Sequence, residues 1–213
     1  MRKLNVLFCS LIFFVSSATY AQSDKYENAM KENLQKLSEN FNENLQPVTA
    51  QFERIAQAEK TQWLPYYYAA YYTALQTYVK PDNATSDGIL DKAQTMLDEA
   101  LKLHPDSSEC LVVQGFIHVG RIMVDPMSRG AEYAQLAGAT FQKSIALNPS
   151  NPRGYYMRGV TVLNTPDFYG GGKVPAKPIL TMAMEKYEAF KPSTPLSPNW
   201  GKDQCQKQLD ACQ

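Results

Sequence analysis

The chain has 213 residues, of which 44% are hydrophobic, and its 21 basic residues balance its 21 acidic ones. Because a nucleic-acid-binding protein needs a basic surface, this balance argues against a nucleic-acid partner. A domain of this size buries about 70% of its unfolded surface, which is enough for a hydrophobic core without disulfides.

Residues 1–21 are predicted to be a cleaved signal peptide. Two basic residues precede an apolar run over residues 4–15, and Ala21 supplies the small residue expected at the cleavage point. The run is shorter than the roughly 20 apolar residues that a helix needs to span a bilayer, which favours cleavage over a membrane anchor. We therefore expect an exported chain of residues 22–213, located in the periplasm of a Gram-negative bacterium.

Most of this chain is predicted to be helical, because apolar residues recur at intervals of three or four positions. The predicted helices pair into four hairpins, which are followed by a separate capping helix. The hairpins span about residues 24–58, 63–104, 107–148 and 152–190, and the capping helix spans 199–212. Residues 22–213 are thus expected to form one all-α domain.

Particular residues are predicted to start or stop these helices. Pro47 is expected to begin the second helix of the first hairpin, because proline is tolerated in a first helical turn. Ser86 or Asp87 is expected to cap the second helix of the second hairpin. Residues 191–198 hold three prolines and are too rich in proline to be helical.

Two segments repeat one another. Residues 93–116 align without gaps with residues 137–160, at an offset of 44 residues. The aligned pairs are Ala93/Ala137, Leu97/Phe141, Ala100/Ser144, Pro105/Pro149, Leu111/Tyr155 and Gly115/Gly159. A fixed period of this kind indicates a fold built from helical repeats.

The pattern resembles the tetratricopeptide (TPR) repeat. In that repeat the first helix has a large residue followed four positions later by a small one, as in Tyr155/Gly159. The second helix has a small, a bulky and a small residue closed by proline, as in Ala137/Phe141/Ser144/Pro149. The resemblance implies an irregular TPR-like stack of about four antiparallel hairpins plus a C-terminal capping helix.

The period is longer than the usual TPR period of about 34 residues. The extra residues are predicted to lie in the turns between paired helices, at 80–87, 125–130 and 166–173. The last of these turns resembles one in periplasmic TPR proteins that accompany TRAP-type solute transporters. The whole chain resembles exported TPR-like proteins of Bacteroidetes, which share its Ala-Gln signal junction and its Pro-Asn-Trp-Gly segment at 198–201.

A binding groove is predicted on the inner face of the stack. In TPR folds, the positions that flank the packing residues of each first helix face a concave groove. In this register those positions include Tyr67, Tyr71, Phe116, Arg153 and Tyr156. Aromatic rings beside an arginine suit a peptide segment or an apolar ligand with a carboxylate, because arginine binds carboxylates through two N–H groups. We expect Tyr67 and Tyr156 to be partly exposed; alternatively, these tyrosines pack between hairpins as core.

A glycine-rich turn precedes the last hairpin helix. Its residues are Gly170, Gly171, Gly172 and Lys173. A phosphate-binding loop is excluded, because Asp167 replaces its first glycine and Val174 replaces its Ser or Thr. Two interpretations remain, an anion site formed by backbone N–H groups before a helix and a tight turn that requires positive φ.

No catalytic or metal-binding pattern stands out. No nucleophile is placed beside a base in a recognised motif, no zinc spacing occurs, and one or more of Cys110, Cys205 and Cys212 must be unpaired within the chain. We therefore expect a non-catalytic binding or scaffold protein without a cofactor or a metal. Its expected partner is another envelope protein or a peptide segment, and the alternative is a carboxylate-type small molecule bound in the service of solute uptake.

Overall fold

A computed structural model describes residues 24–213; the predicted signal peptide lies outside the described residues. The first helix, α1, covers residues 24–39. The other helices are α2 (Phe41–Ala58), α3 (Trp63–Val79), α4 (Asn83–Leu103), α5 (Ser108–Val124), α6 (Pro126–Leu147), α7 (Pro152–Asn164), α8 (Lys173–Ala189) and α9 (Lys202–Asp210). No strand occurs within this range.

The helices form the predicted all-α stack of hairpins. From α2 to α9, each helix packs against the next one in the chain. In addition, α3 packs against α5 and α5 against α7, so the first helices of successive hairpins line up as an inner layer. The helices α4, α6 and α8 form the outer layer.

The repeat register has a direct packing basis. The bulky residue of an outer helix fits against the glycine of its paired inner helix. A Cβ atom on Gly115 would overlap the ring of Phe141, and a Cβ atom on Gly159 would lie 2.6 Å from Cδ2 of Leu180. Small residues at these crossings therefore allow each hairpin to close.

Two predicted helix boundaries are wrong. The helix α4 begins four residues before Asp87, because Asp82 is its cap and accepts a hydrogen bond from the N–H of Ala84. The helix α2 begins at Phe41 with Asn40 as its cap, and Pro47 lies inside the helix.

The predicted location of the extra repeat residues is wrong in two of three places. Residues 83–87 and 126–130 are helical, so the second and third hairpins are longer because α4 and α6 each gain residues at the N-terminus. At the third place the prediction holds. A turn follows α7, with a short 3₁₀ helix at Asp167–Tyr169 and a glycine-rich end before α8.

Candidate binding site

The predicted groove residues lie together on the inner layer, but most of them are buried. Tyr67 and Arg153 are 0% exposed, whereas Phe116 and Tyr71 are 6% and 9% exposed. The expectation that Tyr67 is partly exposed is therefore wrong, whereas Tyr156 is half-buried as expected.

The groove is filled by the chain itself. Residues 190–201, which we call the C-terminal arm, connect α8 to α9 and lie in the groove. The Tyr68 hydroxyl donates a hydrogen bond to the Leu196 carbonyl over 2.8 Å, and the Tyr187 hydroxyl donates one to the Trp200 carbonyl over 3.1 Å. Tyr68 of the inner layer and Tyr187 of α8 thus hold the arm through two of its backbone carbonyls.

Trp200 anchors the arm. Its indole N–H donates to the Tyr67 hydroxyl over 2.9 Å. The indole also stacks on Tyr71, with ring centroids 4.3 Å apart and an interplanar angle of 11°. Gly201 follows with a φ of 104°, and a Cβ atom there would collide with the Tyr187 hydroxyl, so glycine is required where the arm enters α9.

Burial sets the ionisation of the groove tyrosines. Desolvation raises the pKa values of Tyr67, Tyr68 and Tyr71 well above the usual value for a phenol. Desolvation also raises the pKa of Tyr156 to about 12. These hydroxyls therefore stay protonated at physiological pH, and the Tyr68 hydroxyl can donate to the Leu196 carbonyl.

Arg153 is also engaged within the chain. Its Nε lies 3.0 Å and 2.8 Å from the two carboxylate oxygens of Glu109, and its Nη2 lies 2.5 Å from one of them. The guanidinium carbon lies 4.5 Å from the ring centroid of Phe190. The geometry that was predicted to bind a ligand carboxylate is thus occupied by Glu109.

A second concavity, which we call the cleft, opens beside Arg153. It has a volume of about 770 Å³ and lies where the ends of several helices meet the C-terminal arm. Small-molecule sites usually have volumes of about 300–1,000 Å³. Its lining holds the aromatic side chains Trp63, His104 and Phe190, the lysines Lys186 and Lys191, the carboxylate of Asp106 and the Arg153–Glu109 ion pair.

The cleft differs from the groove in having two lysines without an ion-pair partner. Lys186 is half-buried and Lys191 is exposed. Neither lysine forms an ion pair within residues 24–213. Lys186 approaches one ring, with its Nζ 5.9 Å from the ring centroid of Tyr155. The cleft thus presents aromatic surface together with two lysines and one aspartate, Asp106, that form no ion pair among the described residues.

Comparisons with known proteins place this geometry in context. No protein-family model matches the chain, and no curated protein matches it either. The structure is similar to that of the HusA haemophore from Porphyromonas gingivalis, with a TM-score of 0.80 and 28% sequence identity over 88% of this chain and 92% of that one. It is also similar to a thermophilic TPR protein from Thermus thermophilus, with a TM-score of 0.63 and 15% identity over 88% and 80% of the two chains.

The two similarities carry different weight. At 15% identity the Thermus protein shows the fold alone, and it confirms the TPR-like stack that the repeat predicted. The haemophore shares more sequence as well as the fold. The described residues include no helix that is both long and apolar enough to cross a membrane.

The glycine-rich turn is not part of the site that we propose. The N–H groups of Gly170, Gly171 and Gly172 donate to the carbonyls of Asp167, Pro166 and Val162, respectively. Gly170 and Gly172 have φ values of 82° and 92°, as the tight-turn interpretation requires. Backbone N–H groups that already have partners are not available to bind an anion.

The cysteines are buried and unpaired. Cys110, Cys205 and Cys212 form no disulfide. Desolvation raises the pKa of Cys110 and of Cys205 to about 12, so both side chains remain thiols at neutral pH. No group of three or more potential metal ligands occurs among residues 24–213.

Sequence reasoning missed the cleft because its residues come from the ends of different helices. Trp63 begins α3, His104 follows the end of α4, and Lys186 lies in the last turn of α8. One signal was available. In a stack of antiparallel hairpins, the starts of inner helices and the ends of outer helices lie at one edge, so these positions converge there.

Proposed function

We propose that this protein is an exported, non-catalytic binding protein for a haem-type tetrapyrrole, which it holds in the cleft. The observation that carries the proposal is the similarity to a haemophore, at 28% identity and a TM-score of 0.80 across 88% of the chain. The proposal names a specific ligand class within the carboxylate-type ligands for solute uptake that the sequence predicted. Association with a TRAP-type transporter is not part of the proposal.

The side chains of the cleft fit such a ligand. A tetrapyrrole of the haem type is a flat, largely apolar ring with two carboxylates at one edge. Trp63 and Phe190 offer aromatic surface, on which a flat ring can stack. Lys186 and Lys191 offer cations for the carboxylates, and the volume of about 770 Å³ suits a ligand of this size.

The proposal is tested by titrating purified residues 22–213 with metal-free protoporphyrin IX and with haemin, and by following absorbance and tryptophan fluorescence. We expect saturable binding of protoporphyrin IX. The double variant Lys186→Gln, Lys191→Gln should bind it about 2- to 30-fold more weakly, because each of the two exposed ion pairs that it removes contributes about 0.2–1 kcal/mol.

The matched control lies on the same helix. Lys173 and Lys177 are exposed near the start of α8, and the double variant Lys173→Gln, Lys177→Gln should bind like the wild type. Failure of the wild-type chain to bind either tetrapyrrole would refute the proposed function. Equal losses in both double variants would show a general charge effect and would remove the cleft from the proposal.

A second role, binding of an envelope protein, is favoured by a separate observation. Four large apolar side chains lie at or beside the turns that join α5 to α6 and α7 to α8. Met127, Val174, Phe168 and Tyr169 are 96%, 86%, 79% and 75% exposed, respectively. Exposed apolar clusters commonly mark interaction surfaces. The double variant Phe168→Ser, Val174→Ser should lose its cross-linked partner in periplasmic extracts while it retains tetrapyrrole binding; an unchanged cross-linking pattern would refute this role.

A further inference from the structure

The charged side chains of the cleft are segregated along the stack of hairpins. Its lysines come from the fourth hairpin and the C-terminal arm, since Lys186 lies in the last turn of α8 and Lys191 lies in the arm. Its unpaired carboxylate, Asp106, lies in the turn that joins α4 to α5, where the second hairpin meets the third. The helix α8 packs mainly against α7 and α9. The cleft therefore has a basic end at the fourth hairpin and an acidic end at Asp106.

The Arg153–Glu109 ion pair connects these two ends and adds no net charge. Glu109 lies in the first turn of α5, directly after the turn that holds Asp106. Arg153 binds Glu109 over 2.8 Å, and its guanidinium carbon also lies 4.5 Å from the ring centroid of Phe190, at the start of the arm. Because the charges of this pair offset one another, Asp106 alone determines the sign of the charge at its end of the cleft.

Asp106 is able to act on a ligand. It is exposed, and its side chain forms no hydrogen bond or ion pair within residues 24–213. A carboxylate without a partner repels a second carboxylate that is placed beside it. A tetrapyrrole with its carboxylates at one edge avoids this repulsion by directing that edge towards Lys186 and Lys191. A tetrapyrrole with carboxylates around the whole ring must bring one of them near Asp106.

We infer that Asp106 makes the cleft selective for tetrapyrroles whose carboxylates all lie at one edge, against those that carry carboxylates around the ring. Asp106 is thus a specificity-determining residue that acts by repulsion. The inference rests on the proposed function, and adds to it the orientation of the ligand and the class of tetrapyrrole that is rejected. Because Asp106 is exposed, it stays hydrated when the apolar edge of the preferred ligand lies beside it.

The test compares protoporphyrin IX, whose two carboxylates lie at one edge, with coproporphyrin III, whose four carboxylates are distributed around the ring. Each is titrated into the wild type, Asp106→Asn and Asp203→Asn. The wild type should bind protoporphyrin IX more tightly than coproporphyrin III. Asp106→Asn should bind coproporphyrin III about 2- to 5-fold more tightly than the wild type does, the range for one exposed charge interaction. Its affinity for protoporphyrin IX should be unchanged.

The matched control and a salt series separate charge from shape. Asp203 is an exposed aspartate in the first turn of α9, has no ion pair among the described residues and does not line the cleft. Asp203→Asn should therefore match the wild type with both ligands. In 1 M salt the Debye length falls to about 3 Å, so the difference between Asp106→Asn and the wild type should disappear.

Each other result has a definite meaning. A wild type that binds coproporphyrin III at least as tightly as protoporphyrin IX refutes the selectivity while the proposed function stands. The same holds if Asp106→Asn leaves the ratio of the two affinities unchanged, whether it alters neither affinity or both equally. A difference that persists in 1 M salt would show that Asp106 acts through the shape of the cleft, which also refutes the inference. If the wild type binds neither protoporphyrin IX nor haemin, the proposed function itself fails.

Discussion

The groove and the cleft are built from similar side chains, aromatic rings beside cations, but they differ in what occupies them. In the groove, Trp200 of the C-terminal arm stacks on Tyr71 and bonds to Tyr67. In the cleft, the side chains of the lysines and of His104 have no ion-pair or hydrogen-bonding partner within residues 24–213. The contrast teaches that residue types alone do not identify a binding site, because the binding capacity of the groove is already used by the arm.

The groove and the cleft differ most in how their positively charged side chains are engaged. Arg153 is 0% exposed and bound to Glu109, whereas Lys186 is half-buried and unpaired. Arg153→Ala should lower the free energy of unfolding by up to about 3–5 kcal/mol, because it leaves the Glu109 carboxylate, whose side chain is only 15% exposed, without its partner. Urea unfolding followed by circular dichroism measures this change.

The control for that variant is Lys186→Ala, which should change the free energy of unfolding by no more than about 0.5 kcal/mol, as is usual for surface substitutions. The double variant Arg153→Met, Glu109→Leu should be more stable than Arg153→Ala, since it removes both charges. If Arg153→Ala proves as stable as Lys186→Ala, the guanidinium is not a buried structural group, and the distinction between groove and cleft fails.

The two tryptophans provide a second test, because one anchors the arm and the other lines the cleft. Trp200→Ala removes an aromatic stack and a hydrogen bond, and should destabilise the protein by about 2–4 kcal/mol, somewhat less than a fully buried aromatic residue would. Trp63→Ala should cost less stability and should weaken tetrapyrrole binding. Unfolding curves and protoporphyrin titrations of both variants decide the matter. A stable Trp200→Ala variant that has lost tetrapyrrole binding would place the ligand in the groove instead.

Much of the fold was predictable because its packing rule is local and repeats. The glycine of an inner helix and the bulky residue of its outer helix recur at the same offset, as in Gly115/Phe141 and Gly159/Leu180. Helix boundaries were less predictable. Asp82 and Asp87 are both plausible caps, and the choice depends on tertiary contacts, since Arg121 and Arg129 bind Asp87 within the helix.

The local sequence could not predict whether the groove is open or filled. The register placed Tyr67 correctly on the inner face, but its exposure depends on Trp200, which lies 133 residues further along the chain. The proline-rich segment at 191–198 was correctly predicted to be non-helical. Nothing in its composition showed that it would fold back into the groove.

The smallest expected effect on stability concerns the ion pairs of Asp87, which are more exposed than Arg153–Glu109. They test the contrast between buried and solvated charges. Hydrogen bonds from Arg129, and then from Arg121, lower the pKa of Asp87 to about 2. The Asp87 side chain is 38% exposed, so solvent screening reduces its contribution to stability to less than about 1 kcal/mol. Because its pKa is lower in the folded state, this contribution is fully present above the ordinary aspartate pKa of about 3.9 and is lost as the pH falls towards 2. Asp87→Asn should therefore be less stable than the wild type at pH 7, and the difference in free energy of unfolding should narrow between pH 4 and pH 2 in urea unfolding experiments.

The control is Asp106→Asn, at an exposed aspartate of the cleft with no ion pair among the described residues. It should have almost the same free energy of unfolding as the wild type at pH 7. If Asp87→Asn loses as much stability at pH 7 as Arg153→Ala does, solvent does not screen the Asp87 ion pair. Exposure of a charged side chain would then not predict how much that side chain contributes to stability.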